Sequence, residues 1–195
     1  MNEMFEFRLH GRGGQGIVVA AAIFAEAVFL EGYFARAFSL FGAERRGAPV
    51  TAFIRVSKER LMPRSRIYEP DYVIVFDPTL SGDTLVAGLK EKGALIINAG
   101  DSWGENLPSD ILSKKDLKIL TVDATEIAWK HKLTIGSFPM VNTVMLGAMA
   151  RVSGLSSQEN MTKAIMKRVA VRQEANISAA AEGFEAVKEV QYIAG

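Results

Sequence analysis

Cysteine is absent from this 195-residue chain. That excludes disulfides, thiolate-bound zinc, iron–sulfur clusters and thiol nucleophiles together. An electron-transferring metal would have to be held by a partner. Histidine is scarce as well: His10 and His131 are the two in the chain, and they do not have the spacing of a metal-ligand pair. The longest apolar run, Ile17 to Leu30, is broken by Glu26 and falls short of the roughly 20 residues that span a bilayer. The opening Met1-Asn2-Glu3-Met4-Phe5 has no basic segment and no small-residue cleavage site, so no signal peptide is expected. Repeats, low-complexity tracts and linkers are also missing. These absences lead us to expect a cytoplasmic protein with one domain over 1–195 and neither a membrane nor a nucleic acid as partner.

Hydrophobic residues make up 49% of the chain, enough for a sizeable core. The net charge of +1 conceals an uneven distribution. Residues 36–66 hold Arg36, Arg45, Arg46, Arg55, Lys58, Arg60, Arg64 and Arg66 against Glu44 and Glu59. Such a block suits a phosphorylated ligand or an acidic partner surface. It equally suits a solvated strand edge whose charges deter aggregation.

Periodicity places the elements. Phe5 to His10 alternates apolar and polar residues, as a strand with one wet face does. Ile17 to Leu30 predicts a helix stopped near Gly32. It is apolar nearly all round, with Glu26 and Glu31 its charges, so a partner is expected to complete its burial. Tyr33 to Phe41 fits a short strand or a loop. Ala48 to Val56 predicts a strand. Tyr72–Phe76, Ala94–Ile97 and Lys118–Val122 are the short apolar runs of buried parallel strands. Helices are expected over Thr79–Lys90, from Asp123 with Glu126 in capping-box spacing, and over Val141–Val152. Two more follow, from Ser156 or Ser157 to about Val169 and over Glu174–Tyr192. The chain reads as α/β: three layers, a mostly parallel sheet with helices on both faces, and a helical C-terminal third.

Gly11, Gly13 and Gly16 satisfy G-x-G-x-x-G between a strand and a helix. The arrangement is Rossmann-like. Glycines let the chain turn tightly, and the helix N-terminus beyond offers free N–H groups to an anion. Glycine turns also serve simply to pack a helix on a strand, so both readings stand. The acid that binds a ribose about 20 residues on in NAD sites is missing from Tyr33 to Leu40. Arg36 in that zone suits a phosphorylated ribose or the 3′-phosphate of coenzyme A. Asp77, Asn98 and Asp123 end three expected strands, where ligands gather and where turn and cap chemistry also places such residues. His10 is expected on a strand near the loop and His131 in solvent.

Two stretches are more specific. The first is Gly11-Arg12-Gly13-Gly14-Gln15-Gly16. The second is Phe41-Gly42-Ala43-Glu44-Arg45-Arg46-Gly47-Ala48-Pro49-Val50. Together they resemble the gamma subunit, or gamma domain, of the 2-oxoacid:ferredoxin oxidoreductases, in the pyruvate and 2-ketoisovalerate branch. Ile67–Asp71, Asp77–Leu80 and Val141–Gly147 add to the likeness, while Ala43 stands where proline is expected. The resemblance implies a non-catalytic subunit working with alpha, beta and delta subunits and, through them, ferredoxin. It implies thiamine diphosphate and iron–sulfur clusters in those partners, no cofactor held by this chain alone, and coenzyme A bound in the complex. It makes Gly11, Gly13, Gly14, Gln15 and Gly16 one part of the binding site and Arg45, Arg46 and Gly47 the other. A free-standing NADP-binding protein and a scaffold that binds nothing remain the alternatives.

Overall fold

The computed structural model describes residues 4–40, 47–60, 65–80, 86–100, 103 and 117–190. Its strands are β1 (Met4–Arg12), β2 (Phe34–Leu40), β3 (Pro49–Ser57), β4 (Tyr72–Val75), β5 (Ala94–Asn98), β6 (Lys118–Val122), β7 (Thr134–Ile135), β8 (Phe138–Pro139) and β9 (Lys188–Glu189). Its helices are α1 (Ile17–Leu30), α2 (Ala124–Lys130), α3 (Asn142–Ser153), α4 (Gln158–Arg168) and α5 (Gln173–Glu185). Seven strands form one sheet in the order β2-β3-β1-β4-β5-β6-β9, and β7-β8 is a separate hairpin. β1, β4, β5 and β6 pair in parallel. β3 lies antiparallel between β1 and β2, so β2 runs in the direction of β1 two places away. This is the expected mostly parallel α/β sheet, with a βα unit at its centre and a helical C-terminal region.

Local chemistry explains the helix ends. Gly32 takes φ 89° after α1, and its N–H and that of Tyr33 return to the carbonyls of Phe29 and Val28, which closes the helix in a left-handed turn. Asp123 caps α2 by accepting from Glu126 N at 2.8 Å, and Ser157 caps α4 by accepting from Asn160 N at 3.2 Å. Gly154 ends α3 in the left-handed region. All five described helices contribute to one core with one face of the sheet, around Phe7, Leu9, Ile74 and Ile96. The other face carries Val73, Val75, Leu95, Ile97 and Ile119 beneath Val86 and Leu89. Of the helix expected over Thr79–Lys90, only Val86 is helical among the described residues; Thr79, Leu80 and Ala87–Lys90 are turn or irregular, and residues 81–85 lie outside the described residues.

One further expectation is corrected. The last helix ends at Glu185 rather than Tyr192, because Lys188 and Glu189 pair with Thr121 and Leu120 at the open edge of β6. The run before Pro139 hides a hairpin turning at Gly136-Ser137, with Gly136 at φ 61°, as a two-residue turn with glycine first requires. The ambiguous segment from Tyr33 resolves as strand β2. Among the described residues no helix is long and apolar enough to cross a membrane. α1 leaves Val18, Val19, Phe29 and Leu30 exposed, so the chain alone does not finish burying it.

Candidate functional site

The glycine loop lies at the carboxyl end of β1, where an open α/β sheet presents its ligands. Its three motif glycines serve three ends. Gly11 is still in β1, opposite Val50, and a Cβ there would collide with the Ile17 side chain. It therefore lets α1 sit close on the sheet. Gly13 donates its N–H to Ala48 O at 2.8 Å and accepts from Gly47 N at 3.1 Å. Gly16 is the N-cap of α1, left-handed at φ 74°. A Cβ on it would come 2.8 Å from Asn142 Nδ2.

The expectation that the loop N–H groups are free holds only in part. Arg12 N donates to Gln15 Oε1 at 2.7 Å, Gln15 N to Arg12 O at 3.1 Å, and Gly13 N to Ala48 O. Among the described residues the N–H groups of Gly14, Gly16 and Ile17 take no partner. Arg12 is committed to the frame: Nε reaches Asp77 Oδ2 at 2.9 Å, Nη1 reaches Gly47 O and Nη2 reaches Thr79 Oγ1. Gln15 Nε2 also points to Asp77 Oδ2, at 3.3 Å. Burial pushes the Asp77 carboxyl up, but donors from Thr79 and the Arg12 guanidinium outweigh it and hold the group below the usual carboxylate value.

Asn142 is the residue that sequence reasoning missed as a site residue. It opens α3, whose N-cap, Val141, offers no side chain to the helix N–H groups; the N-cap of α1 offers none either. Two helix N-termini thus converge at Gly16 and Asn142 with their first N–H groups uncapped. The Asn142 side chain is 8% exposed and has no hydrogen-bond partner among the described residues. A buried amide without a partner costs stability, and here it lies beside the positive ends of two helix dipoles. The available signal was Val141–Gly147 itself, which carried part of the resemblance.

Other expected residues fall elsewhere. Gly47, at φ 82°, docks on Gly13; Arg45 and Arg46 lie outside the described residues. Arg36 pairs in register with Arg55, which pairs with Glu6. That is six residues before Arg12, roughly 20 Å along the strand, so Arg36 does not reach the loop. Asn98 ties Phe76 O to Thr125 through its amide, and Asp123 caps α2, so both do structural work. His131 is not solvated: its Nε2 is 2.7 Å from Glu182 Oε2. His10 is neutral, its pKa lowered to about 4 by burial and by the charges of Arg8 and Arg66. Among the described residues no group of three or more acids and histidines is placed to hold a metal ion.

A glycine loop at the carboxyl end of a mostly parallel sheet, clamped to a second glycine motif, defines a Rossmann-like α/β protein. Residues 6–186 match the family model of pyruvate ferredoxin/flavodoxin oxidoreductase. The chain is 47% identical over 184 residues to the common gamma subunit of the pyruvate/ketoisovalerate oxidoreductases of Pyrococcus furiosus, covering 93% of this chain and 96% of that one. It is 48% identical over 166 residues to pyruvate synthase subunit PorC of Methanocaldococcus jannaschii, covering 84% and 85%. The crystal structure of pyruvate oxidoreductase subunit PORC of Thermotoga maritima superposes with a TM-score of 0.79 at 36% identity, covering 97% and 99%. The chain therefore belongs to the pyruvate ferredoxin/flavodoxin oxidoreductase family and corresponds to its gamma subunits.

Proposed function

We propose that this chain works as the gamma subunit of a cytoplasmic 2-oxoacid:ferredoxin oxidoreductase of the pyruvate/2-ketoisovalerate branch, and that within it the glycine loop receives coenzyme A. In that reaction the 2-oxoacid loses carbon dioxide, its acyl group passes to the sulfur of coenzyme A, and two electrons leave to ferredoxin. The chain has no cysteine for a cluster, so the iron–sulfur clusters belong to partners among the alpha, beta and delta subunits, which by the family resemblance also hold thiamine diphosphate. Its own task is to support assembly and to position a substrate.

The observation that carries the binding reading is the buried, unpartnered amide of Asn142 at the meeting of two uncapped helix N-termini. A phosphate there accepts from the N–H groups of Gly14, Gly16 and Ile17 and from Asn142 Nδ2, and both helix dipoles favour its charge. Gly11, Gly13, Gln15 and Gly47 fix the loop's shape, and Arg12 with Asp77 locks it. Arg45 and Arg46 immediately precede Gly47 of this clamp in sequence and supply charge to the ligand or to a partner carboxylate.

The test is steady-state kinetics of the co-expressed complex, following pyruvate- and coenzyme-A-dependent reduction of a viologen dye. Asn142→Ala should raise the KM for coenzyme A at least tenfold and leave the KM for pyruvate unchanged. An assembled complex with an unaltered KM for coenzyme A would refute the binding site. Absence of any 2-oxoacid-dependent reduction by the wild-type complex would refute the function.

A further inference from the structure

A second surface, on the edge formed by the α2–β7 and α4–α5 connections, is built with unusual care. Helix α2 ends in a Schellman closure: Lys132 N–H returns to Trp129 O and Leu133 N–H to Ala128 O. The left-handed residue of this motif is commonly glycine, yet here it is Lys132, at φ 54°. Arg172, the N-cap of α5, is left-handed too, at φ 51°. Among the described residues these are the two non-glycine positions with positive φ, and they are joined: Arg172 Nη1 donates to the Lys132 carbonyl. Buried Asn176 donates to Arg172 O at 2.9 Å and accepts from Thr143 Oγ1 at 3.0 Å, which ties the pair to α3. Strained backbone held from several sides in this way fixes side chains in advance of use.

Large apolar groups stand around that clamp. Phe138 is 71% exposed, Val171 72%, Ile135 56% and Trp129 49%. Single exposed apolar residues are ordinary, but four of them on three connected segments form a patch. Its cationic heads, Lys132 and Arg172, meet no carboxylate among the described residues. Glu182 at its border is already shared by Lys130 and His131, each at 2.7 Å.

We infer that this face docks another subunit of the same oxidoreductase, one that presents apolar side chains ringed by carboxylates; the inference rests on the subunit role proposed above. Tryptophan, phenylalanine and arginine are the residues that dominate interface cores. A second copy of this chain fits poorly, because a two-fold axis through the patch brings Lys132 and Arg172 against their own counterparts. A carboxylate rim on a different chain removes that repulsion. Holding the patch rigid by strain reduces the ordering cost of association.

The test measures assembly of the co-expressed complex by size exclusion and by titration of the tagged chain into the remaining subunits. Ile135→Ser with Phe138→Ser should weaken binding at least tenfold, while the isolated variant melts within a few degrees of wild type because both groups are exposed. Lys132→Glu should weaken binding and flatten its dependence on salt. Unchanged affinity in folded variants would overturn the inference while leaving the subunit role intact. A dimer of the isolated chain that Ile135→Ser with Phe138→Ser turns to monomer would assign the face to a second copy instead. A wild-type chain that joins no other subunit would sink the subunit role and this inference together.

Discussion

Gly47 donates its N–H to the carbonyl of Gly13 at 3.1 Å, and Gly13 returns its own N–H to Ala48. Two glycine motifs apart in sequence are therefore one structural unit, and the Arg12 guanidinium, which also reaches Gly47 O, locks it. Gly47 is at φ 82° with open space where a Cβ would stand. Gly47→Ala should then cost backbone strain alone, about 1 kcal/mol, seen as a lower urea midpoint. Because the strain is applied through Gly13, the same variant should raise the KM for coenzyme A more than the KM for pyruvate.

Gly147→Ala sets helix propensity against packing. Alanine in a helix interior is favoured over glycine by about 1 kcal/mol. A Cβ at Gly147, however, would run into the backbone of Ala180 and Phe184, where α3 crosses α5. Backbone does not yield as a side chain does, and overpacking costs about 1–3 kcal/mol or more. The net should be destabilising by about 1–2 kcal/mol. A rise in melting temperature would show that the crossing has slack.

Much of this was legible in the sequence, and the exceptions share a cause. Gly32, Asp123 and Ser157 mark helix ends by chemistry confined to one or two turns, and the structure uses each of them as the pattern implies. β4, β5 and β6 announce themselves as apolar runs. By contrast, nothing local says that β3 inserts antiparallel between β1 and β2, and that insertion is what keeps Arg36 from the loop. Lys188 and Glu189 continue a helical pattern until the open edge of β6 recruits them. The Gly16–Asn142 contact joins residues far apart in the sequence, so its chemistry exists only in the folded chain.

Asn142 should be retained at a cost in stability. Its amide is buried and unpartnered among the described residues, and an unsatisfied buried polar group costs about 1–3 kcal/mol. Asn142→Leu, of similar size, should raise the stability of the isolated chain by about 1 kcal/mol while impairing use of coenzyme A. Loss of stability in the leucine variant would mean that the amide is already satisfied in the free chain.

Acid should weaken the fold in two separable windows. His10 ordinarily titrates near 6.5 but is held at about 4 in the fold by burial and by Arg8 and Arg66. The unfolded chain therefore takes up this proton first. Stability falls as pH drops from about 6.5 to about 4, by roughly 3 kcal/mol at most, and no further below that. Asp77 acts in the same direction at lower pH: its carboxyl is depressed below 3.8, so its contribution is complete above that pH and is lost as pH falls through the folded value. Urea midpoints against pH should show His10→Gln flattening the upper window alone and Asp77→Asn the lower one alone. A His10→Gln profile parallel to wild type between pH 6.5 and 4 would contradict the buried neutral histidine.

Lys132 allows stability and association to be pulled apart. It occupies a left-handed position closing α2, where glycine avoids the Cβ penalty. The Arg172 hydrogen bond is to its carbonyl, which any residue supplies. Lys132→Gly should therefore stabilise the isolated chain, by up to about 1 kcal/mol. It also deletes a cationic head from the patch around Phe138, so assembly should weaken, most clearly at low salt where charge pairing is least screened. If the glycine variant is more stable and assembles as tightly as wild type, the lysine is not an interface residue. If it is more stable and assembles less tightly, the strain at this position is kept for the sake of a partner.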